Sequence, residues 1–350
     1  MDFLRRILGL SANSSAAPAE DEVIITQGDD TAAFAPPEPV IETPAPVEAA
    51  VKKTTAPSGA TDIADTKSVV DADQVAMAGT RPLPPLETVI PKPGQRLKFG
   101  QLSDIGMVRG NNQDAMFGLL SSGTSTDDLP DFGLFVVADG MGGHQEGERA
   151  SAITVRIVAR HVLHEIYMAL LEQRMNDPDR PSIAEVLRAA VQEANDSVTE
   201  EIPEGGTTVT STVILGDLAY IAHVGDSRAY LITDEGIEQI TRDHSLVQRL
   251  IELDQLTTEE AAEHPQRNVL YRAIGQSETL DVDAITRRLP PGASLLLCSD
   301  GLWNMVPEDT ILEAIRSHKT PQDACNYMVK LANERGGPDN ITVILVQVPG

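Results

Sequence analysis

Acids set at the ends of apolar runs are the residues here most able to do chemistry. The first stands in Phe132-Gly133-Leu134-Phe135-Val136-Val137-Ala138-Asp139-Gly140-Met141-Gly142-Gly143-His144, where an apolar run stops at a carboxylate and three glycines follow within four residues. Such a run predicts a buried strand, too short to cross a membrane. The glycines let the backbone turn sharply or approach an ion closely. Ser294-Leu295-Leu296-Leu297-Cys298-Ser299-Asp300-Gly301 repeats the pattern, and Gly337-Pro338-Asp339-Asn340 leads into the strand-like Ile341-Thr342-Val343-Ile344-Leu345-Val346. A fourth carboxylate is Asp114 in Arg109-Gly110-Asn111-Asn112-Gln113-Asp114, and a fifth is Asp226 in Val224-Gly225-Asp226-Ser227-Arg228. Gathered together, these acids repel one another unless divalent cations neutralise them, and an all-oxygen set suits Mg²⁺ or Mn²⁺. The other reading is five unrelated turns. Arg109 likewise has two readings: a surface salt bridge, or a guanidinium fork beside a metal-bound phosphate.

The elements that must position these acids follow from periodicity. A strand is expected over 96–103, then the Asp139 strand after a polar hairpin loop at 121–131. Apolar stripes at 3.6-residue spacing predict helices over 146–173 and 182–201. The β-branched run 205–215 reads as a strand, with Gly216-Asp217 turning it into 218–224 and further strands at 229–233 and 237–240. A helix should begin at Ser245, and 254–275 is polar, broken at Pro265, and has the look of a mobile flap. Two more helices are expected over 307–318 and 320–334, the second with Pro321 at its first position. Meandering strands and paired helices imply an α+β fold: two stacked antiparallel sheets flanked by pairs of helices. A dinucleotide-binding sheet is excluded, because helices do not alternate with strands and no GxGxxG follows a strand.

Composition divides the chain. Residues 1–95 are rich in Pro, Ala, Thr and acids and nearly free of aromatics, which predicts a disordered, acidic tether. Its first residues place Phe3, Leu4, Ile7 and Leu8 on one helical face beside Arg5 and Arg6. That is either a short helix docking on a partner or an anionic membrane surface, or an unstructured start. Residues 96–350 read as one globular domain. The net charge of −26 argues against a basic nucleic-acid-binding face. No stretch is long and apolar enough to span a membrane. The two cysteines, Cys298 and Cys325, make no disulfide framework and fit a reducing cytoplasm.

Taken in order, Arg109…Asn112-Gln113-Asp114, Asp139-Gly140-Met141-Gly142-Gly143-His144, Gly206-Thr207-Thr208, Val224-Gly225-Asp226-Ser227-Arg228-Ala229-Tyr230, Asp243-His244-Ser245, Cys298-Ser299-Asp300-Gly301-Leu302-Trp303 and Asp339-Asn340-Ile341-Thr342 resemble the motif series of the metal-dependent serine/threonine protein phosphatases of the phosphatase 2C type, bacterial branch. The resemblance covers about 97–348 and implies an αββα sandwich. It further implies two Mn²⁺ or Mg²⁺ ions bridged by Asp139, one completed by the Gly140 carbonyl and the other held by Asp300 and Asp339, with Asp114 contributing directly or through water. Asp226 with Asp300 matches a third, weaker ion, and Arg109 matches the arginine that binds substrate phosphate. Gln113 departs from the family, which usually has Glu there; it keeps an oxygen but loses a charge, which weakens the expected metal affinity. The implied reaction is attack of a metal-activated water on phosphoserine or phosphothreonine in proteins, opposing a cognate serine/threonine kinase. His144 is either the proton donor to the leaving alkoxide or a structural histidine of the turn. No protein nucleophile is needed, so Ser227, Ser299 and Cys298 are read as structural. The alternative is a pseudophosphatase, a module that binds phosphoprotein without turnover.

Overall fold

A computed structural model describes residues 96–123, 129–142 and 146–350. The N-terminal segment, part of the 121–131 loop and His144 lie outside the described residues.

Eleven strands among the described residues form two antiparallel sheets. One contains β1 (Lys98–Asp104), β7 (Arg228–Thr233), β8 (Gly236–Gln239), β10 (Ser294–Cys298) and β11 (Ile341–Gln347), in the order β1-β11-β10-β7-β8. The other contains β2 (Asp114–Ser121), β3 (Phe132–Met141), β5 (Val209–Leu215), β6 (Leu218–Val224) and β9 (Asp283–Arg288), in the order β2-β3-β5-β6-β9, with the two-residue β4 (Gly206–Thr207) pairing the end of β3. The continuous apolar runs are explained by burial on both faces. In β10, Leu295 and Leu297 point between the sheets, while Leu296 and Cys298 point at helices. In β3, Phe135 and Val137 face the other sheet, and Leu134 and Val136 face the helices on their own side.

Helices α1 (Glu146–Val162) and α2 (Ile183–Glu201) cover the β3 sheet with Val158, Val162, Leu187 and Val191. A capping box at Ser182 and Glu185 starts α2. On the opposite side, α6 (Glu308–Ser317) and α7 (Pro321–Glu334) cover the β10 sheet with Ile311, Met328 and Val329. Three shorter helices complete the described fold: α3 (Leu246–Glu252), α4 (Thr258–Ala262) and the single turn α5 (Asp300–Trp303). The expected α/β/β/α layering is the observed one.

The structure differs from the sequence expectation in four places. The helix beginning at Glu146 does not run regularly to 173: it passes through a π turn at Leu163–Tyr167 and ends at Leu171. The expected strand over 205–215 breaks at Thr208, whose backbone and side chain turn toward Asp139. β9 has no apolar alternation to announce it, because Asp283, Arg287 and Arg288 make half of its length on a sheet edge. The 254–275 stretch, expected as a polar flap, contains the short helix α4 and is bridged to the body at Ser245–Leu270 and Thr207–Ile274.

A buried histidine on β6 makes stability depend on pH. The Nε2 of His223 lies 3.0 Å from the Arg242 carbonyl, which can only accept, so Nε2 carries the proton and Nδ1 faces the Thr210 hydroxyl at 2.9 Å. Burial, reinforced by the neighbouring His244, pushes the His223 pKa from 6.5 down to about 3. The unfolded chain therefore takes a proton near pH 6.5 that the folded chain refuses until about pH 3. The stability from this group is complete above pH 6.5 and is lost as pH falls toward 3, amounting to about 2 kcal/mol between pH 7 and pH 5. Chemical denaturation at those two pH values should show this loss, and His223→Gln should shrink it; an unchanged pH gap in the variant would contradict the assignment.

Candidate metal centre and active site

The paired register of β2 and β3 sets Asp114 directly opposite Asp139. Every backbone group of Asp139 is occupied. Its N–H donates to Thr208 Oγ1 at 2.9 Å, and its carbonyl accepts from Thr207 Oγ1 at 2.9 Å and from the Thr208 N–H at 2.9 Å. The carboxylate is therefore held in place without being engaged by its own frame. Gly140 follows and donates its N–H to the Gln113 carbonyl at 3.1 Å. Only glycine fits there, because a Cβ would stand 2.1 Å from the Gly147 carbonyl oxygen at the start of α1.

The second sheet delivers the other acids. Asp300 begins α5 immediately after β10, and Ser299, just before it, donates from Oγ to Asp114 Oδ2 at 2.7 Å while accepting the Thr342 N–H at 2.9 Å. Ser299 thus fixes one carboxylate from the other sheet, which agrees with the structural role expected of it. Asp339 lies in the loop before β11, where the buried Asn340 knots the region. Its Oδ1 accepts from the Gln113 N–H at 2.8 Å, and its Nδ2 donates to the Ile105 and Asn111 carbonyls at 2.9 and 3.0 Å. Arg109 Nη2 sits 2.6 Å from Asp339 Oδ2, so the two readings of this arginine meet: it forms a partly exposed ion pair, and its partner is one of the clustered acids.

The acids feel one another. Desolvation, then Asp114, Asp300, Asp226 and Asp339 in turn, hold the Asp139 carboxyl well above the ordinary range. Asp300 is raised well above it too, by desolvation and then Asp226, Asp339 and Asp114. Burial lifts Asp114 to about 6 against the opposing bonds from Thr342 and Ser299. Asp226, in the turn between β6 and β7, is lifted to about 7 by burial and by Asp243. Asp139 and Asp300 each keep a strip open to solvent, so all of this happens on the wall of a cleft. Asp114 Oδ1, Asp300 Oδ1 and Gln113 Nε2 are buried with no hydrogen-bond partner among the described residues. Two of these are oxygens on adjoining acids, and an uncompensated carboxylate oxygen is costly to bury. A hard divalent cation fits this donor set. Among the described residues no three of the side chains already close on one ligating point, so an ion here would draw part of its shell from water, as Mg²⁺ ordinarily does.

Five of the expected acids (Asp114, Asp139, Asp226, Asp300 and Asp339) and Gly140 are thus assembled around one cleft with Arg109 at its edge, whereas His144 lies outside the described residues. Sequence reasoning passed over the residues that hold them. Thr208 and Asn340 were visible only as motif members, and Arg228 as a neighbour of Asp226. Arg228 forms a fork on the buried Asp243 (Nε and Nη2 to the carboxylate at 2.7 to 3.1 Å), and its guanidinium carbon lies 3.6 Å from the centre of the Trp303 ring. Trp303 Nε1 in turn donates to the Asp226 carbonyl at 3.0 Å. The signal available was that Asn340 and Arg228 lie within two positions of a clustered acid, whereas Thr208 is 69 positions from the Asp139 it serves.

The sequence profile described as "Protein phosphatase 2C" matches residues 109–334. A serine/threonine phosphatase, stp, of Listeria monocytogenes is 35% identical over 245 residues, covering 70% of this chain and 93% of that protein. The solved structure of the S. agalactiae serine/threonine phosphatase superposes with a TM-score of 0.60 at 33% identity, covering 72% of this chain and all of that one. The catalytic domain of the phosphatase PstP, solved in complex with two manganese ions, superposes with a TM-score of 0.57 at 31% identity and covers 73% of this chain and 99% of its own. With the profile spanning the acids from Asp114 to Asp300 and relatives matched along nearly their whole length, the chain belongs to the protein phosphatase 2C family.

Proposed function

We propose that this chain is a metal-dependent phosphatase that removes phosphate from serine and threonine residues of proteins. The observation that carries this reading is the set of buried, mutually repelling carboxylates with unpartnered oxygens beside the Arg109 guanidinium. Asp139, Asp300, Asp339 and the Gly140 carbonyl are the proposed ligands of two Mn²⁺ or Mg²⁺ ions, with Asp114 supporting them and Asp226 with Asp300 serving a third, weaker one. When bound, such ions supply a water acidic enough to attack phosphorus near neutral pH.

The protein's own residues do the positioning. Arg109 is half exposed at the cleft edge, where its fork can bind two phosphoryl oxygens and stabilise the charge that develops on them. Its pairing with Asp339 aims it at the acids before substrate arrives, which limits the ordering cost of binding. Ser299 holds the Asp114 carboxylate in the cleft, and Thr208 fixes the backbone from which Asp139 projects. His144 is proposed as the donor of a proton to the departing alkoxide. Residues 1–95 are proposed as a tether whose amphipathic start docks on a partner or membrane surface. No helix among the described residues is long and apolar enough to cross a membrane, and a cytoplasmic protein opposing a serine/threonine kinase is the proposed setting.

Hydrolysis of p-nitrophenyl phosphate and of a phosphothreonine peptide, measured with Mn²⁺ and with EDTA, tests the central claim. Release should depend on metal, and Asp139→Asn should lower it by at least about a hundredfold. The same variant should melt higher than the parent without metal, because one repelling charge is gone, and it should lose the upward shift that Mn²⁺ gives the parent. Full activity in EDTA, or an Asp139→Asn protein that still gains the Mn²⁺ shift, would count against the site.

The competing reading, a module that binds phosphoprotein without turning it over, draws on Gln113 alone. That side chain is pressed against Gly147, whose added Cβ would meet Nε2 at 2.6 Å, and its Nε2 has no partner among the described residues. Gln113→Glu restores a charge at this spot and should tighten Mn²⁺ binding about tenfold by calorimetry. Unchanged or weaker binding would show that the neutral residue costs this centre nothing.

A further inference from the structure

Arg109 is carried by a loop that is fixed at every turn and yet presents apolar side chains to solvent. Gly106 donates its N–H to Asp104 Oδ1 at 2.9 Å, and Asn333 Nδ2 holds the same oxygen at 3.0 Å. The Ile105 carbonyl takes the Asn340 amide at 2.9 Å, and the Met107 N–H donates to the Gly337 carbonyl at 2.7 Å. Gly106 sits at φ +81°, where a Cβ would come within 2.2 Å of the Asp339 carbonyl oxygen, so the loop lies flush on the segment that carries Asp339. From this rigid base Met107 and Val108 stand 69% and 70% exposed, immediately before Arg109.

Large apolar side chains on a mobile tip need no explanation, but here the backbone is anchored and the exposure is therefore maintained. Met107 also lines a groove of about 410 Å³ between β1 and α7, together with Leu102, Val329, Lys330 and Glu334. Met107, which lines this groove, is bonded through its backbone to Gly337, two residues before the Asp339 that pairs with Arg109. Met107 and Val108 directly precede Arg109, so residues next to a phosphate bound on Arg109 have this strip within reach.

We propose that Met107, Val108 and the groove behind Met107 form a docking strip for the protein substrate, selecting segments with an apolar side chain close to the phosphorylated residue. The proposal rests on the phosphatase reading above. Burying one apolar side chain against such a strip removes it from water and favours that substrate over one with a small polar residue there. A small aryl phosphate reaches Arg109 without touching the strip, so the strip contributes nothing to its turnover.

The test uses the full chain with Mn²⁺ and three substrates: p-nitrophenyl phosphate, a phosphothreonine peptide with leucine at the two positions on either side, and the same peptide with serine there. The parent should prefer the leucine peptide by about tenfold in kcat/KM, chiefly through KM. The double variant Met107→Ser with Val108→Ser should lose that preference, while its turnover of p-nitrophenyl phosphate and its melting temperature stay unchanged. A parent indifferent to the two peptides, or a double variant that keeps the preference, overturns the docking strip and leaves the phosphatase reading standing. A double variant that loses p-nitrophenyl phosphate hydrolysis also overturns it, by showing that these residues serve the cleft itself. A parent that hydrolyses none of the three overturns both readings.

Discussion

Mutual repulsion among buried carboxylates is the constraint around which this protein is arranged. Asp114, Asp139, Asp226 and Asp300 are held to a raised affinity for protons by burial and by their acidic neighbours, Asp339 among them, and left to local preference they would turn away into water. The fold prevents this by spending backbone groups and neutral hydrogen bonds on each acid's surroundings. Thr207 and Thr208 saturate the Asp139 backbone, Ser299 grips Asp114, and one Asn340 amide ties the 105–113 loop at three points to the segment before β11. None of these groups carries charge, so the frame holds the acids in place without neutralising them. What is preserved is the capacity of the cleft to attract cations.

The acids come from both layers of the sandwich. Asp114 and Asp139 belong to β2 and β3, whereas Asp300 and Asp339 flank β10 and β11 in the other sheet. The hydrogen bond from Ser299 to Asp114 crosses that seam. Packing between the sheets, through Phe135, Val137, Leu297 and Ile344, therefore sets the spacing of the site as well as the stability of the core. A cavity-forming change in that layer would be felt at the cleft as a displacement of one pair of acids relative to the other.

Much of this was legible in the sequence because the signals were local. An apolar run ending in Asp-Gly announces both a strand and the acid it delivers, and Asp139 and Asp300 were found that way. The stripes of α1, α2, α6 and α7 follow a period that survives without neighbours. Illegible were the features set by contacts distant in sequence. Asn340 bonds to Gln113, and Ser299 to Asp114, across more than 180 positions, which leaves no periodic trace. β9 is a charged edge strand, and the break at Thr208 exists because its hydroxyl is wanted by Asp139. The resemblance to a known family located such residues as members of motifs, but only coordinates give them a partner and a task.

The place of β11 has a consequence for how the molecule is made. It is the last strand in chain order, yet it lies between β1, the first, and β10. On a ribosome, β1 would emerge early and wait for its neighbour through the synthesis of more than two hundred residues. Until residues 341–347 appear, β1 has no neighbour to pair with, Asn340 is not there to hold the Arg109 loop, and Asp339 is missing from the cleft. Nascent chains would thus carry the other acids without a competent centre, and assembly of the cleft would coincide with closure of the first sheet.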